Sequence, residues 1–185
     1  MWLTLARRID ALNAAVGRLV GGLLAVMVLV GAYNAIARTV QKDAGVLLTS
    51  NGLLELQWYL FGCVFLLGAA HTLRRDEHVR VDVLYGGLPV RGRAWLDLVG
   101  GLVLLIPFCV FGCVASWSFV ADSIADREWS NDPGGLPRWP LKPVIPIGFA
   151  LLGLQGVSEV IKRIAVLRGH APKAVGLGAE GDHAR

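Results

Sequence analysis

Apolar positions in this chain fall in blocks rather than on one face of each element. Uncharged runs cover 19–37, 56–73, 98–121 and 143–158. The first three hold 19, 18 and 24 residues. A run of about 18 or more is long enough to cross the hydrocarbon core of a bilayer as a helix. The fourth holds 16, and becomes a full span if it continues to Leu167 with Glu159, Lys162 and Arg163 at the membrane interface. Glu159 can pair there with Lys162 (i+3) and Arg163 (i+4), which lowers the cost of charge. The pattern predicts an all-α integral membrane protein with four transmembrane helices, at about 17–38, 53–73, 94–121 and 143–167.

The segments between these blocks carry patterns of their own. Over 2–16, Trp2, Leu5, Ile9, Leu12 and Val16 share an arc of about 80° on a helical wheel, and Arg7, Arg8 and Asp10 lie off it. This predicts an N-terminal amphipathic helix lying in the interface, with Trp2 as an anchor. The first span reads as an uncleaved anchor, because its apolar core exceeds the roughly 7–15 residues of a signal peptide. Pro107 predicts a bend in the third span, and prolines at 133, 137, 140 and 143 deny regular helix to the loop before the fourth. Trp129 and Trp139 in that loop suit the headgroup level. Residues 1–168 form a single membrane domain in this reading, and the Gly- and Ala-rich tail 169–185 is expected to be disordered.

Composition agrees with the blocks. The chain is 55% hydrophobic and 17% charged, against about 25% charged in soluble domains. Of its 18 basic residues, 13 lie before the first span, in the loop at 74–93 or after the fourth span begins to close, and 5 lie in the other two loops. The bias predicts both termini and the 74–93 loop in the cytoplasm. The net charge of +4 therefore addresses membrane lipids rather than nucleic acid.

Candidate chemistry is sparse. Cys63, Cys109 and Cys113 all sit inside spans without a paired thiolate motif, and read as small apolar residues. His71 and His78 flank one helix end, which is a poor arrangement for axial haem ligation. Glu55, near one end of the second span, is the notable ionisable residue, with Arg38 or Lys42 able to reach it by snorkelling. Gly17 and Gly21 form a small-xxx-small pair that permits close helix approach. In the stretch RRDEHVRVDVLY (74–85), His78, Arg80 and Asp82 alternate with Val79, Val81 and Val83. Extended, the block would be two-sided; a short amphipathic helix is the other conformation open to it. No nucleotide-binding, nucleophile-elbow or metalloprotease motif occurs.

Several strings together resemble a known family: ELQWYLF (55–61), FLLGAAHTL leading to DEHVRVDVLY (76–85), DLVGGLVLLIPF, EWS (128–130) with GGLPRWPLK, and IPIGFALLGLQG. They are similar to the small permease subunit (DctQ-type) of tripartite ATP-independent periplasmic (TRAP) transporters over about residues 5–168. The H-V-R-V-D block most resembles the branch labelled for mannitol or chloroaromatic compounds. The resemblance implies a non-catalytic subunit without cofactor in the bacterial inner membrane. Its partners would be a large permease subunit, which carries the sodium and substrate sites, and a periplasmic substrate-binding protein that delivers an organic acid. With such partners, Glu55, Trp58, His78, Arg80 and Asp82 are the candidate partner-interface residues. An autonomous ion-coupled carrier using Glu55 is the alternative, and a membrane haem protein a distant third.

Overall fold

The computed structural model describes residues 2–45, 48–75 and 88–170. Its regular elements are all helices: α1 (Trp2–Ala44), α2 (Asn51–Arg74), α3 (Val90–Val99), a π-helical segment (Gly100–Leu105), α4 (Ile106–Ala125) and α5 (Val144–Leu167). Four stretches are long and apolar enough to cross a membrane, Trp2–Lys42, Asn51–Arg74, Arg91–Ala125 and Val144–Leu167. The all-α, four-span architecture is therefore present.

α1 is one uninterrupted helix of 43 residues, roughly 65 Å long at 1.5 Å per residue. That is about twice the thickness of a hydrocarbon core, so part of it lies beyond the core. Residues 2–16 are helical as the wheel suggests, but they continue directly into the first span. They contain neither Pro nor Gly and are rich in Ala, Leu and Arg, so nothing interrupts the helical ladder. Ile9 is buried against protein, while Trp2, Leu5 and Leu12 remain exposed.

α2 starts at Ser50, whose hydroxyl accepts from Leu53 N at 3.3 Å, an N-cap for one of the orphan amides. It packs along α1 through polar contacts. Asn34 is buried and donates to the Leu53 carbonyl at 3.2 Å and to Gln57 Oε1 at 3.4 Å. At its other end His71 lies over Gly17, where an added Cβ would come within 2.3 Å of Nδ1. Half of the Gly17/Gly21 pair is thus used for close packing; Gly21 faces open space.

Just before Pro107 the helix widens into the π-helical segment, where Ile106 N bonds to Gly101 O. Pro has no N–H and crowds the carbonyl four residues back, and a widened turn ahead of it relieves both problems. α5 ends in a paired C-cap: Gly169, at φ 93°, donates to Val166 O at 2.9 Å, and His170 N to Ala165 O at 3.0 Å. Glycine adopts this left-handed conformation without the Cβ penalty. From residue 171 the tail lies outside the described residues.

Burial is inverted relative to a soluble bundle. Among the described residues, the interior holds Asn13, Asn34, Glu55, Gln155, Ser158, Lys162 and Arg163 beside small apolar residues. Leu104, Phe111, Val114 and Trp117 project outward, each at least 69% exposed. In lipid the apolar exterior is already solvated, so polar pairing and close packing between helices take over the cohesive role.

Candidate partner-interface site

The interior polar groups gather at two ends of the bundle. The loop end holds the starts of α2 and α5 and the end of α4; the terminal end holds the start of α1 and the end of α5.

At the loop end, α2 presents Asn51, Glu55 and Tyr59 at i, i+4 and i+8, hence on one face. All three hold the 126–143 loop. Asn51 Nδ2 donates to Pro133 O at 2.9 Å. Glu55 accepts the Ser130 hydroxyl on Oε1 and the Leu136 amide on Oε2 at 2.6 Å. Tyr59 donates to the Leu136 carbonyl at 3.3 Å. The loop closes on itself through Ser130 N to Leu136 O at 3.1 Å and a bridge between Trp129 and Pro137. It is ordered yet irregular, as its prolines require. Glu55 thus finds its partners 75 and 81 residues away in sequence, rather than in Arg38 or Lys42. Arg138 adds a nearby positive charge.

A second pair braces the base of the loop. Lys142 Nζ donates to Glu128 and lies 3.8 Å above the Phe119 ring, a cation–π contact. The Glu128 carboxyl is held below its ordinary range, first by Lys142 and then by the Ser123 hydroxyl, with burial opposing them. Trp58 stands next to this constellation, 48% exposed and edge-on to Tyr59 at 4.5 Å between centroids. Trp129 and Trp139 are exposed on the loop itself.

The terminal end is built of charge. Lys162, 1% exposed, pairs with Asp10 of α1 at 3.0 Å and Glu159 of its own helix at 2.7 Å. Gln155 accepts from Asn13 at 2.8 Å and donates to Asp10 and Glu159 at 2.9 Å each. Ser158 donates to Asp10 at 2.9 Å, and His71 Nδ1 lies 3.3 Å from the Asn13 carbonyl. Arg163 turns away to Asp97 of α3 at 2.9 Å.

The Glu159–Lys162 pair is therefore present, whereas Arg163 serves another helix. Neighbouring residues on a helix point about 100° apart, so Lys162 meets α1 while Arg163 meets α3. Both are buried rather than set at an open interface. Asp10, Asn13, Gln155 and Ser158 escape a reading by apolar runs. Their spacing carried the only signal: polar groups at 10 and 13, and at 155, 158, 159 and 162, each set on a single helix face. His78, Arg80 and Asp82 lie outside the described residues; α2 ends and α3 begins on either side of them.

Residues 27–166 match the family described as tripartite ATP-independent periplasmic transporters, DctQ component. The chain belongs to this DctQ family. Two relatives agree. The ectoine TRAP transporter small permease protein TeaB of Halomonas elongata is 26% identical over 159 residues, 84% of this chain and 79% of TeaB. The C4-dicarboxylate TRAP transporter small permease protein DctQ of Vibrio cholerae is 27% identical over 120 residues, 54% of this chain and 51% of that protein. No solved structure is a significant match. As a DctQ-family member with four apolar helices, the chain is a multi-pass inner-membrane protein and the small subunit of a TRAP transporter. It is a transport component, not an enzyme.

Proposed function

We propose that this subunit braces a large TRAP permease subunit, and that the assembly takes up an organic acid with sodium after delivery by a periplasmic binding protein. The observation that carries the bracing role is the use made of Glu55. Both of its oxygens are engaged by Ser130 and Leu136, so it organises an outer surface rather than standing ready to bind an ion. That use also weakens the reading as an autonomous carrier. The loop moulded by Glu55, with Trp58, Trp129 and Trp139 exposed around it, is the candidate contact for the partners on one side. The His78–Arg80–Asp82 block is the candidate on the other.

The same proposal sets both termini and the 74–93 loop in the cytoplasm, because 13 of 18 basic residues lie there. The exposed side chains of Trp2, Leu5 and Leu12 then seat the start of α1 against the lipid interface. The relatives named above are labelled for ectoine and for C4-dicarboxylates, and neither carries the mannitol or chloroaromatic label.

Co-purification tests the assembly. The wild-type chain should bring down a large multi-span protein, and Arg80→Glu or Asp82→Arg should reduce its recovery, since reversing a desolvated charge leaves a like-charge contact. Full recovery in both variants would reduce the block to a hydrated topological anchor. Reporters fused after Arg75 and after Asp132 should read as cytoplasmic and periplasmic, respectively; the reverse would overturn the orientation.

A further inference from the structure

Neither polar end uses the cavity between the start of α1 and the end of α5. It has a volume of about 410 Å³, and its walls are Leu3, Ile161, Ile164 and Ala165, with Trp2 on one side. Arg168 and His170 stand at its rim, where the C-cap at Gly169 sets them. His170 is tied back, with Nδ1 3.1 Å from Ala165 O. Arg168 is exposed, and its guanidinium has no ion pair or hydrogen bond among the described residues. Trp2 and Leu3 bring the first turn of α1 to the same cavity, and with it that helix's unbonded amides and the positive end of its dipole.

An apolar slot bordered by an exposed guanidinium and a helix N-terminus is complementary to one class of molecule available to an inner-membrane protein. We infer that this cavity binds one anionic phospholipid, with an acyl chain against Leu3, Ile161 and Ile164 and the phosphate at Arg168. The volume lies within the range of small-molecule sites. Trp2 would lie at headgroup level, as interfacial indoles do. The charge at the rim selects the headgroup: a glycerol headgroup leaves the phosphate unopposed, whereas a choline ammonium would be repelled by Arg168. The inference stands on the membrane location alone and does not require the bracing role.

The test uses the full-length chain in vesicles containing a photoactivatable phosphatidylglycerol or phosphatidylcholine, with crosslinked peptides mapped by mass spectrometry. Labelling should concentrate at 2–3 and 161–165. Phosphatidylglycerol should be preferred about fivefold, the factor that one basic group near the surface supplies. Arg168→Glu, at an exposed position, should bring the preference to about one while phosphatidylcholine labelling persists. Ile164→Trp should fill the slot and lower labelling by both lipids there. Inorganic phosphate should not compete. Competition by phosphate would make this an anion site without a lipid. Equal preference in the wild-type chain, unchanged preference in Arg168→Glu, or labelling spread evenly over the lipid-facing helices would overturn the assignment.

Discussion

The two polar ends of this bundle solve one problem with different chemistry. At the loop end Glu55, the carboxylate that ties α2 to the loop, is satisfied by neutral donors, a hydroxyl and a backbone amide, and the Glu128–Lys142 pair stays within the base of the loop. At the terminal end charge meets charge: Lys162 bridges Asp10 and Glu159, and Arg163 holds Asp97. The first arrangement shapes a loop against one helix. The second joins α1, α3 and α5, three elements remote in sequence. Neutral donors can be supplied by an irregular loop, whose backbone amides need partners in any case. Helices have spent their amides internally, so a tie between them must come from side chains. A buried cation between two carboxylates is strong only while it is complete. The loop end should therefore fail locally and the terminal end globally.

The largest effect is expected at Lys162. Lys162→Met leaves Asp10 and Glu159 facing each other without their cation, and breaking a buried pair this way costs about 3–5 kcal/mol. Yield and thermal stability in detergent should fall sharply. Adding Asp10→Asn and Glu159→Gln should recover much of the loss, because the remaining amides need no counter-charge. A single Lys162→Met variant as stable as wild type would remove the distinction between the two ends.

The helices themselves were legible in the sequence because a run of about 18 apolar residues is matched to the bilayer and not to any soluble partner. The polar ties were not. Asn13 meets Gln155 across 142 positions, and Ser158 meets Asp10 across 148; neither pair has a local signature. Local pairing rules bring Arg163 to Glu159, and Asp97 of α3 takes it instead. Glu55 stood out as an ionisable residue within a span, but its partners lie in a Pro- and Gly-rich loop whose path no periodicity describes. The continuity of α1 shows the same limit: a wheel identifies an amphipathic face but not where one helix ends and the next begins.

A smaller, local effect is expected at Glu55. In Glu55→Gln one oxygen becomes an NH2 group, which cannot accept from either Ser130 or Leu136. The loop should loosen while the helices stay docked. Hydrogen exchange at Leu136 should quicken, and the exposed tryptophans of the loop should become more accessible to a quencher. The melting temperature should move much less than in Lys162→Met. Comparable global destabilisation in both variants would mean that the loop and the bundle form one cooperative unit. In a reconstituted transporter, altered sodium stoichiometry in Glu55→Gln would return this residue to an ion-coupling role.

The smallest effect concerns Glu128, and its sign follows from the direction of its shift. Lys142 and Ser123 hold the carboxyl below its ordinary value of 4.5. When the loop opens, the group returns toward that value, so the open form takes up a proton first as the pH falls. The pair's contribution to loop order is complete above about 4.5, and is lost as the pH falls through the lower value of the closed loop. Its magnitude is limited because the Glu128 side chain is 34% exposed, where solvent screens the attraction. Tryptophan fluorescence from the loop should therefore change on acidification in the wild-type chain, and Glu128→Gln should flatten that change. Lys142 should keep its seat over Phe119 in the variant, because the cation–π contact does not depend on the carboxylate. An identical acid transition in Glu128→Gln would assign the titration to another group, with Glu55 the first to examine, and would make the loop end respond to pH through its α2 anchor instead of its base.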